Sequence, residues 1–258
     1  MTDASAPAKA PVTPRPAATI LLLRDDPMEV LMIRRHKDQF FSSALVFPGG
    51  LVDDSDHSDA WHDLIVDDIG LDAHQRALRI AGFRETFEET GILLARGAEG
   101  HCAAQQSQPG ASFLDIVRAS GGRLVLDDLV PFGHWITPEF SPKRFDTHFF
   151  ICRTAPGQDA VCDGGEAVAL EWATPDSILT RAAEGETSIL FPTRLNIARL
   201  AESGAVDDAI AAARMRPIFT VLPRVEKRPG GMAVVIPAEA GYCETENFNP
   251  SQAPSGKA

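Results

Sequence analysis

The chain has 258 residues, 44% of them apolar and 23% charged, and a formal net charge of −12 at pH 7. That length suffices for the core of one enlarged domain or two small ones, and the composition is that of a globular protein. The acidic balance would repel a phosphate backbone, which argues against nucleic-acid binding but leaves room for a small anionic substrate held through a divalent cation.

Four cysteines, Cys102, Cys152, Cys162 and Cys243, show neither zinc-knuckle nor CxxC spacing and are expected to be reduced thiols. The first residues lack the apolar core of a secretory signal. The run Ala17 to Leu23 is too short to cross a bilayer, and the closing residues Ser255 to Ala258 are not the peroxisomal SKL address. The expectation is a soluble, cytoplasmic protein without membrane contact.

Residues 1–16 and 247–258 read as Pro/Ala-rich or polar disordered tails around one domain, 17–246. Within it, Ala18 to Leu23 and Val30 to Ile33 are apolar runs about the turn signal Arg24-Asp25-Asp26-Pro27, which predicts a β-hairpin. Leu45-Val46-Phe47 is a short strand stopped by Pro48-Gly49-Gly50, and Ser58 to Asp68 reads as a small helix. Asp72 to Gln75 has the form of a capping box and opens a helix expected to run to about Leu94, with Gly91 near its end. A short helix follows at Phe113 to Ala119, then strands at His134 to Thr137, Thr147 to Cys152 and Val168 to Trp172. Thr174-Pro175 starts another helix, Asn196 to Glu202 and Val206 to Ala213 are helical, and Val234 to Ile236 is a late strand.

The chemistry concentrates in Arg84-Glu85-Thr86-Phe87-Glu88-Glu89-Thr90-Gly91. On a helix, Glu85, Glu88 and Glu89 share a face, and like charges at that spacing repel by a few tenths of a kcal/mol per pair. A solvated helix face would show the same triplet. A hard divalent cation would remove the repulsion, since Mg²⁺ takes oxygen ligands at about 2.0–2.1 Å and keeps waters for phosphates to replace. Arg84, four residues before Glu88, is placed to hold its rotamer. Upstream, Phe47-Pro48-Gly49-Gly50 ends a strand with two residues that lack Cβ, so the main chain can approach a ligand closely.

Together these segments resemble the Nudix hydrolases, whose box runs Gly, five residues, Glu, seven residues, then Arg-Glu-U-x-Glu-Glu-x-Gly-U, with U aliphatic. Here Gly50 to Arg84 is 34 positions, so about twenty residues are inserted; Thr86 stands at an aliphatic position, and counting back eight from Arg84 finds Arg76 where the first Glu belongs. The split box resembles the peroxisomal acyl-coenzyme A diphosphatase branch. So do Ser42 to Gly50, Trp135-Ile136-Thr137-Pro138 and Arg144-Phe145-Asp146-Thr147.

The resemblance implies an α/β/α sandwich around a mixed β-sheet, with an insertion in the box and a C-terminal helical extension. It implies Mg²⁺ or Mn²⁺ bound by Glu85, Glu88, Glu89 and the Gly49 carbonyl, with Arg84 as their positioning partner. Glu166, in Gly164-Gly165-Glu166, resembles a late catalytic-loop Glu and competes with Glu85 for the role of general base. Arg34, Arg35 and Arg144 are candidate phosphate clamps and Trp135 a candidate adenine platform; ordinary ion pairs and a strand aromatic in the core are the alternatives. His134 and His148 read as structural. The segment Val52 to Leu71 is expected to form one wall of the substrate pocket or to be a passive surface excursion.

Three functions follow. The first is hydrolysis of coenzyme A or a thioester of it to 3′,5′-ADP and (acyl-)phosphopantetheine. The second is hydrolysis of ADP-ribose, NADH or another nucleoside diphosphate derivative. The third is a silent Nudix-fold binding module, against which the intact carboxylate triplet argues. The partner is a small nucleotide substrate, and a homodimer is compatible with this reading.

Overall fold

A computed structural model describes residues 12–35, 44–66, 70–97, 110–154, 158, 160–161 and 167–250. The expected hairpin forms between β1 (Arg15–Arg24) and β2 (Glu29–Arg35), with Leu23 opposite Val30 and Arg24 opposite Glu29. β1 alternates Ala18, Ile20 and Leu22 towards one face with Leu21 and Leu23 towards the other. Both faces are apolar because both are covered.

β1 is central. Along one edge it pairs in parallel with β8 (Phe145–Arg153), and β8 in turn pairs antiparallel with β7 (Val130–Ile136). On the other edge it meets β4 (Gly49–Leu51) before it reaches β2. β3 (Ala44–Val46), β9 (Ala167–Ala173), β10 (Ser188–Ile189) and β11 (Thr220–Val221) complete a nine-stranded mixed sheet.

One face is covered by α1 (Ala73–Thr90) and α2 (Phe113–Ala119), packed on Ile20, Leu22 and Phe150. The opposite face is covered by α3 (Pro175–Ala183), α4 (Phe191–Leu200) and α5 (Val206–Met215), which bury Ile178, Leu195, Ile197 and Val206 against Leu21, Leu23 and Trp135. The result is the expected α/β/α sandwich, with α4 and α5 as the C-terminal helical extension. Among the described residues no helix is long and apolar enough to cross a membrane.

Several boundaries differ from expectation. α1 ends at Thr90, not near Leu94, because Gly91 takes a left-handed conformation (φ 70°) and returns its N–H to the Phe87 carbonyl. Its N-terminus is capped by the Asp72 carboxylate, which accepts from the Gln75 N–H at 2.7 Å. The helix expected over Ser58 to Asp68 is replaced by two short 3₁₀ turns, Asp54–His57 and Asp59–Trp61, and by β5 (Ile65–Val66), which pairs with β6 (Leu124–Val125).

Both expected tails are shortened. β1 starts at Arg15, and β14 (Glu246–Pro250) pairs with β13 (Gly231–Val235), itself paired with β12 (Arg224–Arg228). Neither β12 nor β14 has the apolar alternation that marks a half-buried strand, so the small sheet they form was not foreseen.

Candidate functional site

The C-terminal half of α1 lies against β4. Glu89 is buried, and its Oε2 accepts the Gly49 N–H at 2.8 Å. Gly50 faces the Glu85 carboxylate so closely that a Cβ there would stand 2.4–2.5 Å from the three carboxylate atoms. This contact is the structural reason for a residue without a side chain at position 50. Glu88, one turn on, is half exposed.

Arg84 organises these groups. Its Nη1 donates to Glu85 Oε1 at 2.8 Å and to Glu88 Oε2 at 2.9 Å, and its Nη2 donates to the Leu51 carbonyl at 2.9 Å. The rest of the guanidinium forms a two-pronged pair with Asp56, Nε to Oδ1 and Nη2 to Oδ2, both 3.0 Å. Arg84 and Asp56 are buried, so the pair is fixed by packing as well as by charge.

Asp56 was not anticipated. The counting that led to Arg76 placed the insertion before the first acidic residue of the box. Six positions after Gly50 stands Asp56, so the Gly-x₅-acid spacing is intact and the added residues lie between Asp56 and Arg84, 28 positions apart. Counting forward from Gly50 would have found it. Arg76 is a half-buried residue of α1, not a departure at the box's first acid.

Around one guanidinium, then, stand Asp56, Glu85 and Glu88, with Glu89 beside them on Gly49. Burial raises the Glu85 carboxyl above the usual glutamate range, opposed by Arg84 and reinforced by Glu88 and Asp56. Burial likewise raises Glu88, opposed by Arg84 and reinforced by Asp56 and Asp53. The cluster is thus short of positive charge even with Arg84 in place. Its donors are hard carboxylate oxygens on a main chain without side-chain obstruction, a set that fits Mg²⁺ or Mn²⁺.

The other candidates fare differently. Trp135 is buried against α4, donates from Nε1 to the Tyr242 hydroxyl at 2.9 Å and packs edge-on to Phe191; it is a core residue and offers no face to an adenine. Arg144 is also buried. It donates to the Thr137 carbonyl at 3.0 Å and the Val12 carbonyl at 2.8 Å, which ties the N-terminal arm to the β7–β8 connection, so it is not a phosphate clamp.

Arg34 shares a face of β2 with Val30 and Met32, whose side chains belong to the core opposite α1, and so stands on the face away from the carboxylates. The side chain of Arg35, and Glu166 altogether, lie outside the described residues, as do Cys102 and Cys162. The insertion is no passive excursion: Trp61, Leu64 and Ile65 are buried in the α1-side core, and the Trp61 ring lies 5.7 Å from that of Phe113.

His134 and His148, expected to be structural, meet across β7 and β8 with stacked rings 4.0 Å apart beside Asp146. Burial lowers the His148 pKa to about 4, with His134, His74 and Arg79 acting in the same direction and Asp146 against it.

The α/β/α sandwich presents clustered carboxylates from α1 to the Gly49-Gly50 segment of β4. The model of the NUDT19 Nudix domain matches residues 67–200, and the chain belongs to the Nudix hydrolases, a family of pyrophosphohydrolases that generally use divalent metals. It is 26% identical over 275 aligned residues to acyl-coenzyme A diphosphatase NUDT19 of Homo sapiens, covering 85% of this chain and 73% of that one. It is 27% identical to putative nudix hydrolase 7 of Caenorhabditis elegans, over 73% of this chain and 61% of that protein's length. The crystal structure of a Nudix hydrolase from Alicyclobacillus acidocaldarius superposes with a TM-score of 0.64 at 29% identity, covering 80% of this chain and 99% of that one.

Proposed function

We propose that the protein is a divalent-metal-dependent diphosphatase of coenzyme A or its thioesters, releasing 3′,5′-ADP and (acyl-)phosphopantetheine. The observation that carries this reading is the Arg84-centred carboxylate cluster on Gly49 and Gly50, in a chain similar over most of its length to an acyl-coenzyme A diphosphatase. Glu85, Glu88 and Glu89, with the Gly49 carbonyl, would hold Mg²⁺ or Mn²⁺. A metal held there would supply charge neutralisation for the pyrophosphate and a more acidic water.

The chain's own residues do the rest. Arg84 fixes the rotamers of Glu85 and Glu88, and Asp56 keeps Arg84 from following either carboxylate. The Gly49 N–H orients Glu89. Gly50, without a Cβ, lets the Glu85 carboxylate lie directly against the main chain of β4. The proton of the attacking water passes to a carboxylate, for which Glu85 and Glu166 compete. Burial raises the Glu85 carboxyl, which makes it a stronger proton acceptor than an exposed glutamate.

The test is product analysis with Mg²⁺ and with Mn²⁺ across coenzyme A, acetyl-coenzyme A, ADP-ribose, NADH and diadenosine polyphosphates. Release of 3′,5′-ADP from the coenzyme A compounds, with slow turnover of the rest, is expected. Preference for ADP-ribose or NADH would discard the coenzyme A assignment and keep the site. Glu88→Gln and Glu89→Gln should lower kcat by orders of magnitude in folded protein; near wild-type turnover would overturn their role. Comparing Glu85→Gln with Glu166→Gln separates the two bases, because loss of the base abolishes the acidic limb of the pH–rate profile.

A further inference from the structure

A second set of ligating side chains lies on the α1 face of the sheet, apart from the carboxylate cluster. Asp146 and His148 are two residues apart on β8 and so share a face, and His134 stands directly opposite His148 on β7. His134 Nε2 lies 2.5 Å from Asp146 Oδ1, and His148 Nε2 lies 3.9 Å from the same oxygen. One ligand atom from each of the three residues falls within 4.8 Å of the others. The second ring nitrogen of His134, Nδ1, is 2.8 Å from Thr220 Oγ1.

We propose that His134, Asp146 and His148 form a transition-metal site for Zn²⁺ or a cation of similar character, separate from the oxygen-donor site at Glu85, Glu88 and Glu89. Two imidazole nitrogens and one carboxylate oxygen are the donors of zinc centres that keep a fourth position open. A tetrahedral ion with donors at about 2.0–2.1 Å holds neighbouring donors roughly 3.4 Å apart. The separations of 2.5 and 3.9 Å bracket that figure, so side-chain rotations suffice to bring the groups onto one ion without moving the strands.

Thr220 occupies Nδ1 of His134. It fixes the ring and leaves Nε2 for the ion, as outer partners of metal-bound histidines do. An ion would take the Nε2 lone pair of His134, with the imidazole proton held on Nδ1 and donated to Thr220 Oγ1. The side chains of the three are 15%, 29% and 17% exposed, open enough to admit an ion and a fourth ligand.

The position relative to the carboxylates follows from the strand register. Gly50 pairs with Ala18 and Ala18 with His148, two strand spacings or about 10 Å in all. The fourth position would take water or an anionic oxygen of a ligand.

The experiment titrates metal-free, full-length protein with Co²⁺ as an optical stand-in for Zn²⁺. Four-coordinate Co²⁺ with imidazole donors absorbs strongly in the visible, whereas six-coordinate Co²⁺ on carboxylates and water absorbs faintly. One equivalent of the strong band is expected, displaced by Zn²⁺, lost in His134→Gln and His148→Gln and retained in Glu88→Gln. Zn²⁺ should also raise the Tm of wild type and Glu88→Gln but not of His148→Gln, with circular dichroism confirming that each variant is folded. Asp146→Asn, which keeps the side-chain shape, should weaken the band if either histidine variant fails to fold. Absence of the strong band, or its survival in both histidine variants, would overturn the site.

Discussion

Arg84 carries more of the site than any other single described residue, because its guanidinium contacts Asp56, Glu85 and Glu88 together. Removing one member of a buried pair leaves the other uncompensated, at about 3–5 kcal/mol. Asp56→Asn should therefore lower stability by about 3 kcal/mol, somewhat relieved by Glu85 and Glu88, and should raise the Mg²⁺ concentration needed for half-maximal activity because the freed guanidinium competes for the metal's carboxylates. Chemical denaturation and an Mg²⁺ titration of the initial rate measure both effects.

The carboxylates themselves work against the fold. A glutamate whose folded pKa is raised binds its proton more tightly folded than unfolded. Its contribution is present below the ordinary glutamate value and is lost as pH rises through the folded one. Metal-free Glu85→Gln should thus melt at or above the wild-type temperature at pH 8, show no such gain near pH 4, and be inactive. A lower Tm at pH 8 would mean that the bond to Arg84 outweighs the burial of the charge.

At the scale of elements, the two glycines of β4 should separate fold from function. A Cβ on Gly49 would meet the Ala18 carbonyl at 2.4 Å and the Thr19 Cα at 2.7 Å, both backbone, and its φ of 153° is one that side chains rarely adopt. Gly49→Ala should disrupt the β1–β4 pairing and lower Tm sharply. At Gly50 the obstruction is only the far end of Glu85, which can swing away. Gly50→Ala should keep the wild-type far-ultraviolet spectrum and lose activity.

Much of this was legible in the sequence. Asp72, Gly91 and the triplet at 85–89 fix α1 through local rules of capping and spacing. What stayed hidden depends on contacts between distant residues. Trp135 and Arg144 are candidate substrate contacts on side-chain chemistry alone, with a core aromatic and an ordinary ion pair as the alternatives, and only the packing shows that both turn inwards. His134 and Asp146 meet only because β7 and β8 pair in one register, and no spacing along the chain announces that.

Across the whole molecule, the inserted segment is a structural part of the α1-side core. Trp61 is 2% exposed, packs near Phe113 and donates from Nε1 to the Ser55 carbonyl at 3.0 Å, next to Asp56. Trp61→Ala should cost about 3–5 kcal/mol. It should also reduce activity by loosening the turn that carries Asp56, and equilibrium unfolding with parallel assays decides both. Deleting residues 54–70 would remove Asp56 itself, so the expected result is loss of turnover and not a simple change in KM.

The Asp56–Arg84 pair also closes a ring in the chain. Its two ends are clamped by a buried ion pair, and the arc between them anchors itself through Trp61, Leu64 and Ile65 in the α1-side core. The entropy of closing such a ring grows only logarithmically with its length, about 0.6 kcal/mol for each doubling. Residues can therefore be spliced into that arc at small thermodynamic cost without disturbing the clamp. The interruption of the box lies where the architecture tolerates length, which makes this arc a natural place for relatives to diverge while the chemistry stays fixed.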